Sequence, residues 1–151
     1  MPKHPIEQRS AFRYFTPIQI RWGDLDPFNH VNNVLYYRYF ELSIVTFLAT
    51  EGGLDLTGDS PIVSFAAESR CVFNKAVDLS GFGPQGVMID GAVRVDRLGS
   101  SSVTWGLALF RQGEEDAAAQ GSWTHVFVDR QTTRPTPIPD DLRAALERYT
   151  V

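Results

Sequence analysis

The sequence predicts an α+β architecture: a five-stranded antiparallel sheet wrapped around one long central helix, with a short C-terminal helix. Three observations predict it. The run from Val34 to Ala49 is apolar on nearly every side of a helix, so the rest of the chain must surround it. One segment before that run and four after it read as strands, by two-residue alternation or β-branched content. Short turn-rich links, R-L-G-S-S around Gly99 and Q-G-E-E-D around Gly113, join the last three and favour antiparallel hairpins.

Residues 1–11 carry mixed charge, two prolines and no periodicity, and are expected to form a flexible arm ahead of a single domain at 12–151. From Phe12 a period of two begins, with Phe12, Tyr14, Ile18, Ile20 and Trp22 on one parity. Pro17 lacks a ladder donor, so this strand belongs at an edge or carries a bulge. Gly23 to His30 has the composition of a tight loop. The helix starts at about Val31 or Asn32, whose side-chain oxygen is a natural N-cap, and runs to about Thr50, where Gly52 and Gly53 stop it. The later strands fall in Pro61–Val77, Val87–Asp96, Val103–Leu109 and Ala117–Asp129. Pro135, Pro137 and Pro139 then precede the short amphipathic helix D-D-L-R-A-A-L-E-R-Y.

Bulk properties narrow the function classes. With 151 residues, 43% of them hydrophobic and 21% charged, the chain suits one globular domain and excludes wholesale disorder. A net charge of -4 argues against a nucleic-acid partner, which needs a basic field. The single cysteine, Cys71, permits no intrachain disulfide and points to a reducing compartment. The N-terminus lacks a signal-like apolar run, and Arg38 and Glu41 interrupt the longest apolar stretch, so a cytoplasmic protein with no membrane partner is expected. Sheet edges left over from five strands are best covered by a second copy, which makes a homodimer the expectation.

Candidate chemistry concentrates in one place. G-F-G-P-Q-G, Gly81 to Gly86, has the glycine spacing of a dinucleotide loop, but V-M-I-D-G-A-V-R-V after it reads as a strand where that loop needs a helix; it is a turn. No G-x-S-x-G elbow is present, Cys71 reads as a small core residue, and His125 as a packed or rim histidine. Asp24, Asp26 and His30 form too short a cluster for a strong metal signature, and no metal is expected. The segment R-W-G-D-L-D-P-F-N-H-V-N-N, Arg21 to Asn33, instead puts two carboxylates, an imidazole and three amides just ahead of the buried helix. Free N–H groups of the first turn can hold a carbonyl oxygen as it becomes an oxyanion. A loop carboxylate beside them, Asp26, can attack directly or activate water. The same residues have plainer roles open to them: Asp24 as an Asx-turn, Asn29 and His30 as partners of loop backbone, Asn33 as an exposed first-turn side chain.

D-x-D-P-x-x-H-V-N-N leading into an aromatic-rich helix, with R-L-G-S-S-S at Arg97 to Ser102, resembles the hotdog-fold thioesterases, in particular the 4-hydroxybenzoyl-CoA thioesterase-like acyl-CoA thioesterases. The resemblance runs from about Tyr14 to Tyr149. It implies hydrolysis of an acyl-CoA thioester by a homodimer or homotetramer, with coenzyme A as part of the substrate and no other cofactor. By position it implies Asp26 as the catalytic carboxylate, the Asn33 N–H as the donor that polarises the thioester carbonyl, and His30 as a helper or a structural residue. Plant acyl-carrier-protein thioesterases of similar pattern carry an asparagine where this chain has Phe28, and some bacterial relatives a histidine where it has Asn33. Tyr36, with Tyr37 and Phe40, would line the acyl slot. Arg97, Gly99 and Ser100 would bind the coenzyme A portion, with Lys75, Arg130 and Arg134 as further candidate cations. Three other readings keep the fold: an acyl-acyl-carrier-protein thioesterase, a hydratase or dehydratase, and a non-catalytic acyl-CoA-binding protein.

Overall fold

The computed structural model describes residues 4–151 and has seven regular elements: β1 (Tyr14–Ile20), α1 (Asn33–Thr50), β2 (Ile62–Phe73), β3 (Val87–Leu98), β4 (Ser102–Arg111), β5 (Ala119–Asp129) and α2 (Asp140–Glu147). The strands form one antiparallel sheet in the order β1-β3-β4-β5-β2. The expected α+β wrap around a long helix is therefore present. β1 is an edge strand, which accommodates Pro17, and its pairing with β3 runs from Tyr14↔Val93 to Ile20↔Val87 without a bulge. The parity reading overran at Trp22. The chain leaves the sheet after Ile20 for a 3-10 turn at Trp22–Asp24, and the indole is 81% exposed. The Gly81–Gly86 segment is a turn, as expected, with Gly83 and Gly86 bonded to each other and Gly81 and Gly86 at positive φ.

α1 begins where the capping argument places it: the Asn32 side chain accepts from the Val34 N–H at 3.1 Å. Its inner face, Tyr36, Tyr39, Phe40, Ile44, Phe47 and Leu48, is buried against Ile89, Val93, Trp105 and Leu107 of the sheet. Close approach depends on glycine at Gly91, where a Cβ would lie 1.9 Å from the Ser43 Oγ. The expectation that the helix is enclosed on every side needs correction. Within one chain the sheet covers only one flank, and Val34, Arg38, Glu41 and Leu42 remain exposed. The other sheet edge, β2, is equally open, with Phe65 and Phe73 about half exposed.

Of the expected flexible arm, residues 1–3 lie outside the described residues. From His4 onward the segment is tied to the outer face of the sheet. Ala117 donates to the Glu7 carbonyl, Glu7 grips Arg94 in a two-pronged ion pair at 2.8–2.9 Å, and Arg9 pairs with Asp90 at 2.8 Å. Arg94 in turn lies 4.7 Å from the Phe12 ring centroid, over a small apolar cluster of Phe12, Ala92, Ala108 and Phe110. Among the described residues no helix is long and apolar enough to cross a membrane.

Candidate active site

The loop from Arg21 to Asn32 is held at both ends by one buried aspartate. Asp24 is 3% exposed; its Oδ2 accepts from the Tyr39 hydroxyl at 2.7 Å and the Arg21 N–H at 2.9 Å, and its carbonyl accepts from the Asn32 N–H. Burial works against the charge of Asp24, yet the Arg21 N–H, the Tyr39 hydroxyl and the Arg21 guanidinium together hold its carboxyl below the usual range. The Asx-turn reading of Asp24 gives way to this longer-range role, clamping the loop to α1.

Asp26 sits two residues on, half-buried at the turn. Its Oδ1 accepts from the N–H groups of Phe28 at 2.9 Å and His30 at 3.2 Å, while its own N–H donates to the His30 carbonyl. These bonds orient the carboxylate and leave Oδ2 without a hydrogen-bond partner among the described residues. Asn29 holds the bend at φ 60°, a conformation asparagine tolerates better than most side chains.

The first turn of α1 supplies the complementary charge. Asn32 takes up two of its donors: its side chain accepts from Val34, and its carbonyl accepts from Leu35 at 2.9 Å. The Asn33 N–H has no acceptor among the described residues, so it is the first-turn donor free to meet a ligand. Asp26, His30 and Asn33 line one cavity of about 280 Å³, together with Tyr36, Phe73 and Lys75. Burial, with Cys71 and Asp26 nearby, raises the Tyr36 hydroxyl above its ordinary pKa, so it remains a proton donor. The Lys75 ammonium lies 3.1 Å from Glu114, at the outer rim. Among the described residues no three His, Cys, Asp or Glu side chains gather as metal ligands would.

The other expected site residues lie elsewhere. Arg97, Gly99 and Ser100 belong to the β3–β4 hairpin, at the opposite end of the 12-residue β3 from the loop that follows β1. Within one chain they do not share the Asp26 cavity. Gly99 also uses its own N–H, which donates to the Ser102 carbonyl at 2.8 Å, so it has no backbone donor to offer pantetheine. Arg130 and Arg134 are at that far end too, where the Asp129 N–H bonds the Arg134 carbonyl. Burial pushes the Cys71 thiol up to about 11, which disfavours the nucleophilic thiolate. Sequence reasoning missed the partnership of Asp24 with Tyr39, fifteen positions apart, and the Phe73 wall, since neither leaves a periodic signal.

Comparison with known proteins gives a consistent picture. A family model described as the thioesterase-like superfamily matches residues 20–146. The PA5185 protein of Pseudomonas aeruginosa is 39% identical over 97% of each chain, with a TM-score of 0.89. The PA2801 protein of the same organism is 30% identical over 87% of this chain and 96% of its own, at a TM-score of 0.76. A 1,4-dihydroxy-2-naphthoyl-CoA thioesterase from Synechocystis is 12% identical over 88% of this chain and 94% of its own; at a TM-score of 0.75 it shares the fold. No curated protein matches the sequence closely enough to count as a relative.

Proposed function

The chain belongs to the thioesterase-like superfamily, and on that premise we propose that it hydrolyses an acyl thioester of coenzyme A to the carboxylic acid and the free thiol. One observation supports this reading: a residue whose carboxylate keeps one oxygen without a hydrogen-bond partner and a residue whose helix N-terminal N–H has no acceptor line the same cavity. The thioester carbonyl oxygen would accept from the Asn33 N–H, where the partial positive charge of the α1 N-terminus also acts. Asp26 Oδ2 would then face the carbonyl carbon. In the general-base route it takes a proton from water, the water oxygen bonds to carbon, and the C–S bond breaks with the electron pair leaving on sulfur. In the nucleophilic route the carboxylate oxygen itself bonds to the carbonyl carbon, and the C–S bond breaks with the electron pair leaving on sulfur. Water opens the resulting acyl-enzyme anhydride in a second step to give the acid and the free carboxylate. Tyr36 and Phe73 give the acyl group an aromatic wall, and the backbone of His30 orients the carboxylate in either route.

The unpaired β2 edge and the open flank of α1 support a two-fold assembly of the chain. Antiparallel pairing of β2 with a second copy would lay that copy's Ile62 end beside this chain's Phe73 end. The second copy's Arg97 and Ser100 would thereby come to the end of the sheet where Asp26 lies, near the phosphate-rich portion of coenzyme A.

The test is Asp26→Asn, which keeps the shape and the loop bonds while removing the charge. Turnover on acyl-CoA substrates, read by release of free thiol, is expected to fall about 10²- to 10⁴-fold with an unchanged circular dichroism spectrum. Near-parental turnover in that variant overturns the assignment.

A further inference from the structure

A second hollow adjoins the catalytic cavity, and its lining differs in kind. Its volume is about 390 Å³, and Trp22, Leu25, Phe28 and Leu79 form its apolar walls. It shares His30 with the Asp26 cavity, so the two are neighbours at that residue. Trp22 and Phe28 are 81% and 77% exposed, among the most exposed large apolar residues of the chain. Two such rings on a loop clamped by Asp24 and Tyr39 present a fixed apolar surface to water, which is the mark of a surface that is covered in use. The polar groups at its edge are available: neither the Asn29 carboxamide nor the His30 ring has a hydrogen-bond partner among the described residues. The one carboxylate there, Asp78, is offset by Arg111 at 3.1 Å, and no unpaired cation lines the hollow.

We propose that this hollow receives the pantetheine arm of the thioester substrate. The inference rests on the thioesterase reading and assigns the direction in which the substrate lies. From a carbonyl held at the Asn33 N–H, two exits lead away. One runs along the buried Tyr36 and the half-exposed Phe73, which suits the acyl group. The other crosses His30 into the hollow, on the side of the departing sulfur. Pantetheine is uncharged and carries two amides, each followed by a two-methylene stretch, with a dimethyl-substituted carbon flanked by hydroxyl-bearing carbons at its far end. Aromatic and leucine walls match its hydrocarbon, and Asn29 and His30 match its amides. The absence of a free cation in the lining argues against a phosphate there. Coenzyme A and acyl carrier protein present the same arm, so the site by itself serves either source.

The experiment compares Trp22→Ala with the parent on one acyl group carried by four thiols: coenzyme A, acyl carrier protein, pantetheine, and N-acetylcysteamine, which lacks the distal amide and the dimethyl carbon. The expected result is a fall of about tenfold in the kcat/KM ratio of pantetheine to N-acetylcysteamine thioester, with Trp22→Phe restoring most of it. The coenzyme A and carrier-protein arms show which source the enzyme prefers. An unchanged ratio overturns the proposal, as does an unchanged ratio with a lower mass in solution, which would mean that a second copy covers Trp22. If the parent cleaves none of the four, the thioesterase reading fails and binding decides the hollow separately. Quenching of Trp22 fluorescence by pantetheine, with Trp22→Phe as the blank, then upholds it, and no quenching overturns it.

Discussion

At the scale of single residues, two aspartates two positions apart do opposite work. Asp26 keeps one oxygen free of hydrogen bonds among the described residues; Asp24 is fully engaged, and its burial is tolerable only because three donors surround it. The Tyr39 hydroxyl is one of them. Burial first, and then the bond to Asp24, drives that hydroxyl far above its ordinary pKa, so it remains a donor throughout the accessible range. Tyr39→Phe removes the donor and leaves a buried carboxylate oxygen short of a partner. We expect a loss of about 1–3 kcal/mol at neutral pH, read from urea denaturation. The sign of its pH dependence follows from the depressed Asp24 carboxyl, whose stabilisation is present above the ordinary value of 3.8 and fades as pH falls through the folded value. The difference between parent and variant should therefore shrink on acidification; a constant difference would place the cause in packing.

Among the elements, the contact of α1 with β3 positions the site, because α1 carries Asn33 at its start and β3 carries the glycine that lets it settle. Ser43, whose hydroxyl donates to the Tyr39 carbonyl at 2.8 Å, occupies the space above Gly91. Any side chain at Gly91 meets Ser43 Oγ, and the Ile18 side chain, 3.2 Å from the same point, blocks an easy escape. Gly91→Ala is expected to cost about 1–3 kcal/mol in overpacking, with Ser43→Ala recovering part of it. Denaturation midpoints of the two single variants and the double variant check this. Additive losses would mean that the two residues do not meet.

Across the whole molecule the most consequential titratable group outside the site is His125 on β5. Its Nδ1 accepts from the Trp105 indole N–H at 3.0 Å, which places the proton on Nε2, and its ring stacks on Trp123. Burial pushes its pKa down to about 4 from 6.5. The unfolded chain takes up a proton below 6.5 that the folded chain refuses until about 4, so stability is complete above 6.5 and declines as pH falls through that window. The decline attributable to this group is on the order of 3 kcal/mol. Melting temperatures measured from pH 7 to 4 should fall accordingly, and His125→Gln should flatten the slope. A slope unaffected by the substitution would assign acid sensitivity to the carboxylates.

Much of this protein was legible in its residues alone. Periodicity is a local property, so the strands and the long apolar helix could be read directly, Pro17 narrowed its strand to an edge or a bulge, and Asn32 announced the start of α1. The cluster from Arg21 to Asn33 was legible for the same reason: Asp26, His30 and Asn33 are neighbours along the chain, and a single turn suffices to bring them to one cavity. What only the tertiary structure decided depends on distance across the sheet. It sent the Arg97–Ser100 hairpin to the far end, turned Trp22 outward beside Phe28, and matched Asp24 with Tyr39. It also left one flank of α1 bare, which hydrophobic pattern could not foresee, because a pattern records that a residue will be covered and is silent about which chain covers it.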